Sequence, residues 1–522
     1  MDKEKRAKIK EDKKAKRLEK RYRTPGIAAS VVYPAIFLIG IVLLIGSVWY
    51  QFSFGMGFKE LIYTLLSPLK GTESGMVTGV LKACLPPIII LFAAYLTAFI
   101  VTRKNKSGKE KEPKPKVTRQ KVNRWLRVTG VVTLVVSILY AFFALGVAYY
   151  LIPMIFKSKI YEERYVEPDT VEIIAQGETK NLIYIYLESM ETTYASREVG
   201  GYQDINYMPR MTGLAKDNLT FSDKADPNEI GGFRCPAGTG WTIGSILATT
   251  SGIPFSFPVG GDNMSSRATF APGLTNLGDI LEGYGYTSEF LCGSDADFAG
   301  RRNYFEQHGN YRIFDYFTAI EKGYIAEDYK VWWGFEDEIL YKIAKDELTS
   351  LASEDAPFNF AMLTVDTHPV EGYMCGLCED KYDCKTANVV ECADRQLTEF
   401  VEWIKEQDFF EDTVVIITGD HPRTDKMLVS GIDFYDRTVY NCIINSDTAV
   451  KGPTTGRIYT PMDMFPTTLE AMGFDVEGDR LGLGVSMFSD QPTLAEELGY
   501  GKFENEISRY SDYYNKFSEK RK

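Results

Sequence analysis

Net positive charge is missing from most of this 522-residue chain. Residues 1–24 hold 12 Lys/Arg against 5 Asp/Glu, and residues 102–127 hold 11 against 2. The whole chain has a net charge of -12, so the part outside these two basic segments carries -28. A protein that binds nucleic acid needs its positive charge on the folded domain. The acidic body therefore excludes nucleic acid as a partner.

Charge of either sign is missing from three apolar stretches, at about 25–50, 84–101 and 128–156. Each is long enough to cross the ~30 Å hydrocarbon core of a membrane as a helix. The first is too long for a signal peptide and has no small-residue cleavage site in register. We therefore predict three transmembrane helices. The alternative, buried helices of a soluble protein, leaves the flanking basic segments unexplained.

The two basic segments orient the predicted spans. By the positive-inside rule, residues 1–24 form a cytoplasmic tail and residues 102–127 a cytoplasmic loop. Everything after the third span is then extracellular or periplasmic, and the chain is a multi-pass protein of the cell membrane. The predicted regions are a basic tail 1–24, a transmembrane region 25–156, a juxtamembrane linker 157–180, a globular domain 181–500 and a C-terminal amphipathic helix 501–522. That last helix either packs on the domain or lies on the membrane surface.

Short β-rich runs alternate with helical patterns in the globular part. The runs are Asn181–Leu187, 358–365 and 413–418, and helical patterns cover 393–407 and 462–472. This alternation predicts an α/β fold with a mostly parallel central sheet flanked by helices. Ligands of such sheets gather at the carboxyl ends of the strands. Polar residues follow the predicted strand ends: Glu188, Asp366, His368, Asp420 and His421.

Histidine is scarce, with only His308, His368 and His421 in the whole chain. His421 stands beside Asp420 directly after a predicted strand, and Glu188 follows another strand. Two carboxylates and an imidazole suit a divalent cation. Taken singly, the Asp-His pair also fits a surface turn, and Glu188 also fits the first turn of a helix.

A glycine-rich turn, Gly238-Thr-Gly-Trp-Thr-Ile-Gly244, opens an apolar helical pattern and places Thr242 near the helix start. The free N–H groups and the dipole of a helix N-terminus favour a phosphate. The alternative is that Thr242 only caps the helix.

Six ordered motifs give the chain a family resemblance. They are NLIYIYLES at 181–189, GTGWT at 238–242, LTNLGDIL at 274–281, Gly-x-Asp-x-x-Phe-Ala-Gly at 293–300, VDTHP at 365–369 and TGDH at 418–421. Together they resemble the sulfatase-like lipid-headgroup transferases, in the phosphoglycerol transferase and lipoteichoic-acid synthase branch of the alkaline phosphatase superfamily. The resemblance covers about residues 181–472. It implies that the domain after the three predicted spans has an alkaline-phosphatase/sulfatase-like fold.

The resemblance also implies roles for individual residues. Thr242 would be the nucleophile and His368 would contact the phosphoryl or leaving group. The implied metal ligands are Glu188, Thr242, Asp420 and His421, and the implied substrate-binding residues are Asp295, Arg301 and His368. The oxygen-rich ligand set favours one Mn²⁺ or Mg²⁺ ion, with Zn²⁺ as the other option.

The implied reaction is transfer of glycerol phosphate from phosphatidylglycerol, through a covalent threonine intermediate, to a glycan or glycerol-phosphate acceptor. Diacylglycerol is released. Ala299 stands where the lipoteichoic-acid enzymes carry Trp, which favours the phosphoglycerol transferases that modify periplasmic glucans. The alternatives are a phosphoethanolamine transferase of the same superfamily and a non-catalytic ectodomain. Sulfatase activity is excluded because Cys235-Pro236 departs from the Cys-x-Pro-x-Arg motif that formylglycine formation requires.

Four of the eight cysteines cluster at Cys375, Cys378, Cys384 and Cys392. Disulfide bonds suit an oxidising exterior, with three possible pairings. The alternative is a zinc site that begins with the Cys-x-x-Cys at 375–378.

The charge pattern makes a testable prediction about orientation. In intact cells, single cysteines introduced into the domain after the third span should react with an impermeant thiol reagent, because that domain lies outside. Cysteines introduced into 102–127 should react only after the membrane is permeabilised. Labelling of 102–127 in intact cells would reverse the orientation.

Overall fold

The computed structural model describes residues 27–53, 74–103, 114–148, 155–177, 179–256 and 269–519, and the single residues 13, 58, 61, 62 and 151. All of the predicted basic tail except residue 13 lies outside the described residues. So do residues 104–113 of the predicted basic loop.

The regular elements of the described residues are numbered along the chain. The α-helices are α1 Ile27–Ser53, α2 Ser74–Arg103, α3 Lys114–Ala144, α4 Ile160–Arg164, α5 Pro209–Asp217, α6 Thr242–Ser251, α7 Leu277–Gly283, α8 Arg301–Gln307, α9 Tyr316–Glu321, α10 Asp337–Leu351, α11 Lys385–Lys405, α12 Met464–Ala471, α13 Leu494–Leu498 and α14 Tyr500–Ser508. The strands are β1 Ile173–Ala175, β2 Asn181–Leu187, β3 Thr287–Cys292, β4 Arg312–Phe314, β5 Phe358–Leu363, β6 Thr413–Gly419, β7 Asn441–Ile444, β8 Phe474–Val476, β9 Arg480–Leu481 and β10 Gly484–Val485.

The N-terminal unit consists of the three apolar helices α1, α2 and α3. Their segments long and apolar enough to cross a membrane are Val31–Ser53, Thr78–Val101 and Arg124–Ala144. The third helix ends at Ala144, within the predicted span 128–156. Within the unit, the rings of Phe37 and Tyr95 stack with centroids 4.0 Å apart and join α1 to α2.

The second unit is built around a six-stranded sheet of order β4-β3-β5-β2-β6-β7. All neighbouring pairs are parallel except β6 and β7. The central strand β2 lies between β5 and β6, and its last residue Leu187 is in register with Gly419 of β6. The predicted α/β class with a mostly parallel sheet is therefore confirmed.

Both faces of the sheet are covered, because side chains alternate between two hydrophobic cores. On β2, Tyr184 and Tyr186 belong to one core, whereas Ile183 and Ile185 belong to the other. Helices α6 and α12 contribute to the first core, and α10 and α11 contribute to the second. This two-sided burial explains why the strands are almost continuously apolar.

The segments on either side of the predicted domain are also packed in the structure. In 157–180, assigned to a linker from the sequence, β1 pairs with β8, and the Tyr161 hydroxyl donates to the Ile507 carbonyl at 3.2 Å. The C-terminal segment forms α14 and a short 3₁₀ helix, Tyr514–Ser518, instead of one continuous helix. Phe503 and Phe517 are buried in the first core, so this segment packs on the domain.

Gly419, the last residue of β6, lies where no side chain fits. A Cβ atom at this position would stand 1.9 Å from the Met190 carbonyl oxygen and 2.4 Å from Cγ1 of Val439. The close approach lets the chain after β2 pass directly over the end of β6. The residues that follow both strands are thereby brought together.

Gly419→Ala should therefore destabilise the protein by about 2 kcal/mol or more, because backbone has to move to admit the methyl group. Gly501→Ala is the matched control, since a Cβ there meets nothing within 4 Å and lies inside α14. The control should be neutral or slightly stabilising. Thermal unfolding of the purified full-length proteins measures both, and equal stability of the two variants would contradict the packing argument.

Candidate functional site

The carboxyl ends of three neighbouring strands converge on one buried site. Glu188 follows β2, Asp420 and His421 follow β6, and the loop that begins at Thr364 follows β5. The Asp420 N–H donates to the Leu187 carbonyl at 3.0 Å, and the Glu188 N–H donates to Oγ1 of Thr364 at 3.0 Å. Backbone contacts between the strand ends therefore set the positions of the side chains.

Glu188, Asp420 and His421 form a compact group of potential metal ligands. All three side chains are buried, and one ligand atom of each lies within 4.8 Å of the others. His421 Nε2 is 3.3 Å from Asp420 Oδ2 and 3.7 Å from Glu188 Oε1. Within the described part of the chain, Asp420 Oδ2 accepts no hydrogen bond. A buried carboxylate oxygen without a donor is suited to a cation.

Hydrogen bonds also hold one oxygen of each of the two carboxylates. Asp420 Oδ1 accepts the N–H groups of Ser189 and His421, each at 2.7 Å. Glu188 Oε1 accepts the Ser189 hydroxyl at 2.6 Å. These donors fix the orientation of the carboxylates, as outer-shell groups do around metal sites.

The tautomer of His421 follows from its backbone contact. Nδ1 lies 3.0 Å from the Pro422 carbonyl oxygen, which can only accept, so Nδ1 carries the proton. Nε2 then presents its lone pair to the side where Glu188 and Asp420 lie. This arrangement, with one ring nitrogen donating to a carbonyl, is usual for histidines that bind metals.

The electrostatics of the group also fit a divalent cation. Burial and the neighbouring Glu188 carboxylate raise the pKa of Asp420 to about 7. Burial opposes the ionised form of Glu188, but His368 and His421 hold its pKa below the ordinary value. Burial also opposes the charged form of His421, yet Asp420 and Glu188 outweigh it and raise that pKa. A cation would offset the repulsion between the two buried carboxylates.

Thr242 lies beside this group as the first residue of α6. Its Oγ1 donates to Glu188 Oε2 at 3.4 Å, so the hydroxyl is directed at the carboxylates and not at the free N–H groups of its own helix. The glycine-rich turn makes this placement possible. Gly238 has φ of 90°, and a Cβ on Gly244 would stand 2.7 Å from the Gly238 carbonyl oxygen.

His368 is partly buried, and its imidazole interacts electrostatically with the Glu188 carboxylate. Burial lowers its pKa, although the nearby Glu188 carboxylate opposes the change. Nδ1 lies 2.5 Å from the Pro369 carbonyl oxygen, so Nδ1 carries the proton and Nε2 is the unprotonated nitrogen. The Trp333 ring packs on the imidazole with centroids 4.7 Å apart.

Asp295 and Arg301, the predicted headgroup residues, lie together in the segment after β3. The Arg301 guanidinium donates to Oγ of Ser294, to the Asp295 carbonyl and to the Phe298 carbonyl at 2.9–3.1 Å. These bonds brace the segment from within. Phe298 packs on Trp333 with centroids 5.3 Å apart, so Trp333 joins this segment to His368.

A buried ion network behind the group of potential metal ligands was not predicted from the sequence. The Glu191 carboxylate accepts a hydrogen bond from the Arg423 backbone N–H at 2.9 Å. It accepts two more from the Arg437 guanidinium, from Nε at 2.9 Å and from Nη2 at 2.5 Å. Arg423 in turn pairs with Asp425 and donates to the Thr367 carbonyl at 2.9 Å. The network ties the segment after His421 to the segment before His368. The charged run Arg423-Thr-Asp425 directly after Asp420-His421 was the available signal.

His308 and Cys235 do not belong to the ligand group. His308 is buried between the Asp279 carboxylate and the Phe270 carbonyl, each 2.9 Å from a ring nitrogen. Cys235 is buried, and burial raises the pKa of its thiol well above the ordinary value. We therefore assign both side chains to the stability of the fold.

Known proteins with similar sequences were found. The sulfatase family model matches residues 180–474. Phosphoglycerol transferase I of Escherichia coli O6:K15:H31 (strain 536 / UPEC) is 31% identical over 320 residues, which cover 60% of this chain and 39% of the relative. The chain thus spans about two fifths of the length of the curated relatives it matches. These matches confirm the family resemblance inferred from the motifs.

Solved structures are similar as well. An alkaline phosphatase superfamily protein of Vibrio parahaemolyticus is 25% identical, with a TM-score of 0.46, over 58% of this chain and 69% of that one. The lipoteichoic acid synthase LtaP of Listeria monocytogenes is 17% identical, with a TM-score of 0.47, over 64% of this chain and 82% of that one.

The ligand group predicts how metal affinity depends on pH. A divalent cation bound by this group would have to displace protons from Asp420, whose pKa is about 7, and from His421, whose pKa is raised. Affinity should therefore fall at least about tenfold between about pH 8 and about pH 6. Asp420→Asn should bind Mn²⁺ more weakly at every pH and with a shallower dependence. Calorimetric titration of the chelated full-length protein measures this, and equal affinity in both proteins would contradict the assignment.

Proposed function

The chain belongs to the sulfatase family, and we propose that it is a membrane-anchored, metal-dependent phosphoglycerol transferase. It moves glycerol phosphate from phosphatidylglycerol to an extracellular glycan or polyglycerol-phosphate acceptor. A covalent threonine intermediate forms on the way, and diacylglycerol is released. The 31% identity to phosphoglycerol transferase I supports glycerol phosphate as the transferred group.

One observation carries the proposal. The Thr242 hydroxyl points at Glu188 at the edge of a buried group of two carboxylates and one imidazole. A threonine capping its own helix would instead accept from that helix's N–H groups. A divalent ion held by Glu188, Asp420 and His421 would lower the pKa of the threonine hydroxyl and neutralise phosphate charge.

The chemistry divides into two transfers. In the first, Thr242 Oγ1 forms a bond to phosphorus, the ester bond to diacylglycerol breaks, and the threonine proton ends on the diacylglycerol oxygen. In the second, the acceptor hydroxyl oxygen forms a bond to the same phosphorus, the bond from phosphorus to Thr242 Oγ1 breaks, and the acceptor proton ends on Oγ1. The N-terminus of α6 would stabilise the phosphate during both transfers, because its free N–H groups and dipole favour negative charge.

His368 is the residue best suited to carry the proton in both transfers. Its pKa is lowered by burial, so the imidazole is neutral near pH 7 and Nε2 can accept a proton. The Pro369 carbonyl and the Trp333 ring hold the imidazole in one orientation. A positioned base with a pKa near the working pH is the efficient arrangement for proton transfer.

The membrane helices and the segment after β3 complete the proposal. The helices α1, α2 and α3 cross the membrane and anchor the domain to it. The domain is thereby kept at the surface where the donor lipid resides. Asp295 and Arg301 are assigned to the headgroup side of the site. In this assignment Arg301 acts by bracing its segment, because its hydrogen bonds stay within that segment.

Donor choice tests the function. Full-length protein in detergent micelles should release diacylglycerol from radiolabelled phosphatidylglycerol when Mn²⁺ is present, and not from phosphatidylethanolamine. Release from phosphatidylethanolamine alone would instead assign a phosphoethanolamine transferase. Release from neither lipid, with an intact fold, would assign a non-catalytic ectodomain.

Thr242→Ala should lower the rate of diacylglycerol release by at least about 10³-fold, because the covalent step loses its nucleophile. Thr239→Ala is the matched control. Thr239 lies in the same turn, but its hydroxyl is buried and donates to the Pro236 carbonyl at 2.8 Å, so this variant should keep most of the activity. A trapped phospho-adduct on Thr239, or near wild-type release by Thr242→Ala, would refute the assignment.

A further inference from the structure

Three cysteine sulfurs meet outside the site described above. Sγ of Cys375 is 3.7 Å from Sγ of Cys378 and 3.8 Å from Sγ of Cys392. All three sulfurs lie within 4.8 Å of one another. Cys375 and Cys392 are buried, and Cys378 is partly exposed. All eight cysteines of the chain are among the described residues, and none of them forms a disulfide there.

These separations match the coordination geometry of zinc. Thiolates bind zinc at about 2.3 Å, and in a tetrahedral site this places neighbouring sulfurs about 3.8 Å apart. The spacing along the chain agrees, because a Cys-x-x-Cys pair is followed by a third cysteine on a helix, α11.

Disulfide pairing explains the cluster less well. One pairing of the four clustered cysteines joins Cys384 to Cys392. Cys384 caps the N-terminus of α11 and Cys392 is eight residues further along it, so their Cα atoms are about 12 Å apart, too far for a disulfide. Each of the other two pairings joins Cys384 to Cys375 or to Cys378. The Cys384 sulfur, however, lies outside the group formed by the other three sulfurs. A disulfide within the cluster would leave one thiol unpaired beside it.

Two polar side chains of α11 donate to the sulfurs. The Gln396 amide nitrogen is 3.3 Å from Sγ of Cys392 and 3.7 Å from Sγ of Cys375. Arg395 Nη2 is 3.7 Å from Sγ of Cys392. Three thiolates and one zinc ion carry a net charge of -1, which the Arg395 guanidinium offsets. Such donors are what surrounds metal-bound thiolates.

We propose that Cys375, Cys378 and Cys392 bind one structural Zn²⁺ ion through their three thiolates. The ion fastens residues 364–384, which connect β5 to α11 without any helix or strand, onto α11. This connection carries His368 at its beginning. The site is separate from the Glu188, Asp420 and His421 group and does not depend on the proposed transfer reaction.

Metal content of full-length protein purified from zinc-supplemented cells tests the proposal. Cys378→Ser should contain one zinc ion per chain less than the wild type, because one of three thiolates is lost. Cys384→Ser is the matched control and should keep the wild-type content, since its sulfur lies outside the cluster. Asp420→Asn should also keep the cysteine-bound zinc, so the result is independent of the other metal site.

A measurement on the wild type covers the case in which Cys378→Ser does not fold. Titration with a mercurial thiol reagent should release one zinc ion per chain from the wild type and from Asp420→Asn. The proposal is overturned if no zinc is released. It is also overturned if mass spectrometry of the unreduced protein finds a disulfide between any two of these three cysteines.

Discussion

The parallel pairing of β2 with β5 and β6 is the constraint on which the rest of the structure depends. The register that places Leu187 opposite Gly419 makes Glu188 and Asp420 neighbours, and the backbone bond from Asp420 to Leu187 continues the ladder past the strand ends. A slip of one residue would turn the whole of β2 over and exchange its two hydrophobic faces. Burial on both faces therefore sets the position of the site as well as the fold.

That register creates an electrostatic problem at the edge of the sheet. Two carboxylates with almost no exposure to solvent lie within reach of each other, which is why the pKa of Asp420 rises to about 7. The Ser189 N–H and hydroxyl stabilise one oxygen of each carboxylate. The remaining oxygens face Thr242 and His421. The repulsion between these two buried carboxylates favours a cation beside them.

The loops around the site are held by side chains instead of by regular secondary structure. The Glu191, Arg423, Asp425 and Arg437 network ties the chain after β6 to the chain after β5. The proposed cysteine site ties the distal part of the β5–α11 connection to α11. Both devices restrict the segment that carries His368. A proton carrier needs a constant distance to the reacting atoms, so holding this segment in place is useful to the proposed chemistry.

The sequence by itself determined where the three central strands and the three apolar helices lie. Apolar runs of strand length predicted β2, β5 and β6, uncharged stretches predicted the three apolar helices, and strand-end positions singled out Glu188, Asp420 and His421. Such patterns are local, and local patterns decide secondary structure and burial. Only the tertiary structure decided which distant side chains meet. It directed the Thr242 hydroxyl to Glu188, kept the Arg301 hydrogen bonds within its own segment, and gathered three of four clustered cysteines while leaving Cys384 apart. These contacts depend on how helices pack on the sheet, and no periodicity along the chain encodes that packing.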